Sequence, residues 1–154
     1  MPWQSPSKKR KKGRPVARLD PAAHPIDDEY RRQALALVKQ AQRQGVDMNG
    51  GMVVVFDPAS SNEWAVELAV AGRIQGGANE ITARQEVQAE IRRRRGGRWV
   101  CASWMMADEV LSLFDDFADD GWRERVLGPQ PLGEVRMAII DAGGVKFTSL
   151  PLAS

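Results

Sequence analysis

The sequence predicts an α+β fold: a small, mainly antiparallel sheet with three to four helices, preceded by a basic N-terminal arm. Three observations carry that expectation. Segments with helical apolar spacing interleave with short apolar runs of strand length. Hairpin chemistry occurs twice, around "DPASSN" and around "DAGG". No segment repeats at a fixed period, which excludes a solenoid.

The elements follow in order. Residues 1–25 contain Pro2, Pro6, Pro15, Pro21 and Pro25, a spacing that predicts an extended, mobile arm ahead of one compact domain over residues 26–154. "PIDDEYRRQALALVKQAQRQG" predicts a helix. Asp27, Asp28 and Glu29 suit the positive end of its dipole, and Gly45 stops it. Its inward stripe is Tyr30, Ala34, Leu37, Val38 and Ala41. The continuous apolar run Met52 to Phe56, set between glycines and a proline, reads as a buried strand. Over residues 62–74 the larger residues Trp64, Val66, Leu68 and Val70 alternate with Ala65, Glu67, Ala69 and Ala71. The alternation favours a half-buried strand and a hairpin across "DPASSN"; Ser60 with Glu63 and the alanines are the competing helix signals.

"GGANEITARQEVQAEIRRRRGG" reads as a surface helix with a thin stripe of Ala83, Val87 and Ile91, and "RWVCASW" as a short buried strand. "MMADEVLSLFDDFADDGW" reads as one acidic helix over 106–120, with Met106, Val110, Leu113, Phe114 and Phe117 inward. "GPQPLG" is a loop, and "EVRMAIIDAGGVKFTSLPL" is a hairpin turning at Gly143 and Gly144.

Composition narrows the function classes. Hydrophobic content of 43% with 27% charged residues is that of a folded protein, so global disorder is not expected. No apolar run reaches the ~18 residues that cross a bilayer, and the basic start has no apolar stretch of a secretory signal. Cys101 is the only cysteine, which points to a reducing, cytoplasmic setting. The net charge of +2 conceals a division. Residues 1–20 carry seven cations against Asp20, or +6; the remaining 15 cations and 19 anions give −4. Arm and body are therefore expected to do different work.

Within the arm, Lys8, Lys9, Arg10 and Lys11 precede Lys12-Gly13-Arg14-Pro15, with Arg18 beyond. This stretch resembles the AT-hook, a short DNA-binding motif centred on Arg-Gly-Arg-Pro. The resemblance covers about a dozen residues and departs from the motif in two places: the first core cation is Lys12, and Val16-Ala17 follows the proline. It implies that Lys12 and Arg14 enter a narrow minor groove, where Gly13 permits close approach and Pro15 keeps the chain extended. Lys8 to Lys11 and Arg18 would then lie on phosphates. The same composition also suits a nuclear-import address or a general polyanion tail.

The body offers further constellations. Arg92, Arg93, Arg94, Arg95 and Arg98 form a secondary basic patch, read first as complementing a helix C-terminus and second as phosphate contacts. Asp108, Glu109, Asp115, Asp116, Asp119 and Asp120 form an acidic stretch, read mainly as a solvated face. Asp115, Asp116, Asp119 and Asp120 are also a candidate protein-binding face, or a competitor for the arm. Of the tryptophans, Trp64, Trp99 and Trp104 read as core, and Trp122 is expected to be the exposed one. Catalysis has little support. His24 is the only histidine and lies in "PAAHP", and one histidine with one cysteine excludes a zinc centre built mainly from those residues. No phosphate-binding "GxxxxGK" occurs. Asp57, Glu67 and Asp141 at strand positions lack the carboxylate–x–lysine step of a nuclease.

The expectation is a non-enzymatic, DNA-associated accessory or regulatory protein with no cofactor or metal. DNA is favoured over RNA, the body is available for self-association or a protein partner, and no membrane is involved. The alternative is an inhibitor or adaptor acting through the acidic helix 106–120 and Trp122. The Ala-, Arg- and Gly-rich composition has the character of a GC-rich bacterial or phage gene, which would make the location nucleoid-associated; in a eukaryote it would be nuclear.

Overall fold

The computed structural model of the protein describes residues 26–152. The elements run α1 (Asp28–Arg43), β1 (Gly51–Phe56), α2 (Glu63–Gln75), α3 (Glu80–Arg94), β2 (Cys101–Met106), α4 (Ala107–Phe114), α5 (Asp120–Leu127), β3 (Glu134–Asp141) and β4 (Gly144–Pro151). Two 3-10 turns lie at Pro58–Ser60 and Asp115–Phe117. The strands form one sheet in the order β2-β1-β3-β4. β1 with β2 and β3 with β4 are antiparallel, whereas β1 and β3 are parallel. The architecture is α+β with a mostly antiparallel sheet.

β1 is central, and every one of its residues is buried. That explains its unbroken apolar run, because a strand covered on both faces has no solvent side to mark with polar residues. Val53 and Val55 join Val135, Met137 and Ile139 on one face, under Tyr30, Ala34 and Val38 of α1. Met52, Val54 and Phe56 join Ala138, Ile140, Val145 and Phe147 on the other. There α2, α4 and α5 supply Trp64, Leu68, Val110, Phe114, Trp122 and Val126. Gly51 opens β1 because Trp104 occupies the space beside it: a Cβ there would lie 2.1 Å from the indole Cζ2.

Residues 62–74 are not a strand. They form α2, and no hairpin spans Asp57 to Asn62. The reason is burial on two sides. Trp64, Ala65 and Leu68 face the sheet, while Val66, Val70 and Ile74 meet Ala83, Val87 and Ile91 of α3. Two overlapping helical stripes leave little polar surface, and their sum imitates an alternation of period two. The start is set by Asn62 rather than by a Ser60–Glu63 box. Asn62 Oδ1 accepts from the Trp64 amide at 2.9 Å, and Nδ2 donates to the Asp141 carbonyl at 2.8 Å.

The acidic segment 106–120 is likewise not one helix. α4 ends at Phe114, a 3-10 turn follows, and α5 restarts at Asp120 behind an Asp119 cap. Met106 precedes the helix and is half exposed, so it does not face inward. Phe114 before the break and Trp122 after it both reach the same core. With α2 and the divided acidic segment, the described residues contain five α-helices.

Candidate nucleic-acid interface

Lys8, Lys9, Arg10, Lys11, Lys12, Gly13, Arg14, Pro15 and Arg18 lie outside the described residues. The arm's continuation does not. Asp27 caps α1, its Oδ1 accepting from the Glu29 amide at 2.9 Å, and its Oδ2 accepts from Arg98 Nη1 at 2.8 Å. The Arg98 guanidinium also lies 4.9 Å from the Tyr30 ring centroid, a cation–π contact. The secondary basic patch is thus attached to the very start of α1.

That patch is less uniform than its sequence. Arg92, Arg93 and Arg94 fill the last turn of α3, where they complement its dipole. Arg95 takes the left-handed cap conformation (φ 50°), with Gly96 following at φ 81°. Arg93 and Arg94 both pair with Glu90. Arg94 also donates from Nη1 to the Arg98 carbonyl at 3.0 Å and lies 5.2 Å from the Trp99 ring. Arg92 and Arg95 have no carboxylate partner among the described residues and are exposed. The patch therefore divides: Arg93, Arg94 and Arg98 are engaged within the fold, and Arg92 and Arg95 remain open to solvent.

The acidic residues divide in the same way. Asp119 Oδ1 accepts from the Trp122 amide at 2.9 Å as the cap of α5. Asp115 and Asp120 both hold Arg123, at 3.0 and 2.9 Å. These contacts, Asp115 first, keep that guanidinium firmly charged. Asp108 and Glu109 sit exposed in the first turn of α4, a favourable place for anions. Among the described residues no group of three or more His, Cys, Asp or Glu side chains is disposed to hold a metal ion.

Trp122 is not exposed. It retains 2% of its accessible surface, and its ring lies 5.9 Å from Phe147 and 4.6 Å from the Arg125 guanidinium. The apolar side chains this end of the molecule does expose are Leu127 and Leu132. Glycine before Trp122 suggests a loop, but Asp119 begins a helix there and turns the indole onto β4. Trp64 is buried too, edge-on to Phe114 at 4.6 Å, whereas Trp99 and Trp104 are partly covered.

Asp57 and Asp141 come together at the ends of the adjacent strands β1 and β3, where the Asp57 amide donates to the Ile140 carbonyl at 3.0 Å, but Glu67 does not join them. Glu67 lies on α2, not on a strand, and grips Arg84 of α3 at 2.6 and 3.1 Å. Asp57 is buried at the end of β1, its Oδ1 accepting from the Ala59 and Trp99 amides at 2.9 and 3.1 Å. Asp141 Oδ1 accepts from the Gly143 amide and faces Lys146 Nζ at 3.6 Å. Burial above all, and then the Asp141 charge, raise the Tyr30 hydroxyl beyond the usual phenol range. Burial likewise pushes the Cys101 thiol up to about 11, which makes it a poor nucleophile at neutral pH.

One buried charge went unnoticed in the sequence. Arg136 of β3 retains 1% of its accessible surface and meets no carboxylate. Its Nε and Nη2 donate to the Arg125 carbonyl at 3.0 and 2.7 Å, and Nη2 also reaches the Gly128 carbonyl. A guanidinium thus closes the C-terminal end of α5. Desolvation, with repulsion from Arg125 second, lowers its pKa. An arginine in the apolar "EVRMAII" is the only sequence signal for this role.

No helix among the described residues is long and apolar enough to cross a membrane. The chain matches no protein-family model, no curated protein and no solved structure.

Proposed function

We propose that the protein is a DNA-associated accessory or regulatory protein that acts by binding rather than by catalysis. The cationic arm, Lys8 to Arg18, supplies the main phosphate contact in the manner of an AT-hook, and Arg92 and Arg95 add to it from the body. The observation that carries this reading is the Asp27–Arg98 ion pair, which joins the cap of α1, two residues beyond the arm, to the segment just after the arginine-rich end of α3. Arm and patch can then address one stretch of polyanion. The adaptor reading has weaker support, because Trp122, its intended anchor, is buried and its acidic helix is divided.

Fluorescence anisotropy with a labelled A·T-rich duplex tests the proposal. Seven cations on phosphates give a log–log salt slope near −6, at about 0.9 per contact. Deleting residues 1–20 should remove most of that slope and weaken binding by about 100-fold or more at ~0.15 M salt. Equal affinity of the full chain and the deleted chain overturns the proposal. In a pull-down from lysate, partners that persist after nuclease treatment would favour the adaptor reading instead.

A further inference from the structure

The helix that receives the arm carries a feature the acidic body obscures. After Glu29 no carboxylate occurs until Asp47, while Arg31, Arg32, Lys39 and Arg43 intervene together with Gln33, Gln40, Gln42 and Gln44. Residues 30–46 therefore hold four cations and no anion, a local charge of +4 in a body of −4. Helical geometry gathers these cations. Positions 31, 35, 39 and 43 differ by four residues each, so Arg31, Lys39 and Arg43 follow one stripe. Tyr30, Ala34, Val38 and Ala41 meet the core; beside them Arg31 and Leu35 lie half-buried on the flank, while Lys39 and Arg43 are exposed. A groove of about 610 Å³ follows the stripe, lined by Arg31, Leu35, Lys39 and Arg43 among others.

The state of these cations matters more than their number. Arg32 is engaged with Glu29. Arg31, Lys39 and Arg43 have no carboxylate partner among the described residues. The corresponding groove on α3 differs: its Arg84 is bound by Glu67 and Glu80, whereas Asp28, which also lines the α1 groove, makes no ion pair with Arg31, Lys39 or Arg43. Of the two helix faces, only that of α1 offers several uncommitted cations in a row. From position 31 to position 43 the stripe rises about 18 Å at 1.5 Å per residue, long enough to meet several phosphates of a duplex.

We propose that the outer face of α1 is a second phosphate-binding track, formed by Arg31, Lys39 and Arg43 and continuous in the chain with the arm. Its partner is the sugar–phosphate backbone of a nucleic-acid duplex, chosen by charge complementarity. The inference rests on the nucleic-acid reading above and adds to it a surface of the folded body. Arm and helix then act as two linked sites on one polymer, so that each raises the other's local concentration.

The test compares the full chain with its Arg31→Gln/Lys39→Gln/Arg43→Gln variant on a labelled 20-base-pair duplex over a salt series. Loss of three phosphate contacts should flatten the slope by about 2.7 and weaken binding about 10- to 100-fold at ~0.1 M salt. The circular-dichroism melting profile of the variant should match that of the parent. The charge-retaining Arg31→Lys/Arg43→Lys variant should bind as the parent does, which separates a charge effect from a fold effect. An unchanged slope and affinity in the glutamine variant overturns this inference while leaving arm-driven binding intact. No duplex binding by the parent chain at ~50 mM salt overturns the functional reading and this inference together. Binding of phosphatidylserine vesicles without duplex binding does the same, because the partner is then a membrane surface.

Discussion

α1 and the α4–α5 segment cover opposite faces of one sheet, and both are strongly charged. Residues 30–46 carry +4. Residues 107–127 hold seven anions against Arg123 and Arg125, or −5. By count they look like mirror images. By connection they do not. On the acidic side Asp119 caps a helix and Asp115 and Asp120 bind Arg123. On the basic side Arg31, Lys39 and Arg43 have no carboxylate partner among the described residues. A charge already occupied inside the fold has less attraction left for a partner, so the acidic side offers less free charge than its count of −5 suggests.

Three experiments sharpen or break this contrast. The largest effect is expected on the acidic side, at the residue that anchors it. Arg136→Ala removes the guanidinium from the carbonyls of Arg125 and Gly128 and opens a cavity over β3; denaturant unfolding should show a loss of about 2–4 kcal/mol. Hydrogen exchange should rise first in α5 while α1 stays protected. Equal loosening of α1 would mean that the two sides are not separately held.

A smaller effect is expected at the helix cap. Asp119→Ala should cost about 1 kcal/mol in the same unfolding measurement, since the Trp122 amide loses its acceptor. A change within error would show that Asp119 is a free surface charge after all. The smallest effect concerns binding. Neutralising Asp115 and Asp120 to asparagine releases Arg123 and lessens repulsion, so duplex affinity by anisotropy should rise about two- to threefold. A tenfold gain would indicate that the acidic side competes directly with DNA for the arm.

Much of this fold was legible in the sequence, for reasons that differ between elements. α1 declared itself because one face is core and the other is water, so its apolar spacing is clean. The β3–β4 hairpin declared itself through the glycines of "DAGG", although the turn is Ala142–Gly143 and Gly144 already begins β4. α2 was misread because it is covered on two sides; a helix with two apolar stripes loses the contrast that identifies it. Trp122 was misplaced because glycine at position 121 resembles a loop, while the cap that sets its direction, Asp119, is visible only once the helix start is known. The arginine run could be counted in the sequence but not sorted. Which of its members are held by Glu90 and Asp27 depends on contacts made after folding. The α1 stripe was readable in "YRRQALALVKQAQRQG" by asking where the sign of the charge stays constant along an exposed face.

The parallel pairing of β1 with β3 has a consequence for how the chain is made. Val53 lies beside Met137, 84 positions later, and the same separation recurs along the ladder. A nascent chain emerging from the ribosome exhibits β1 first, yet the neighbour that seals its open edge follows only 84 residues later. Until then an apolar ribbon with an unpaired hydrogen-bonding edge is exposed to other chains. Premature termination anywhere before β3 should therefore yield sticky fragments rather than smaller folded ones.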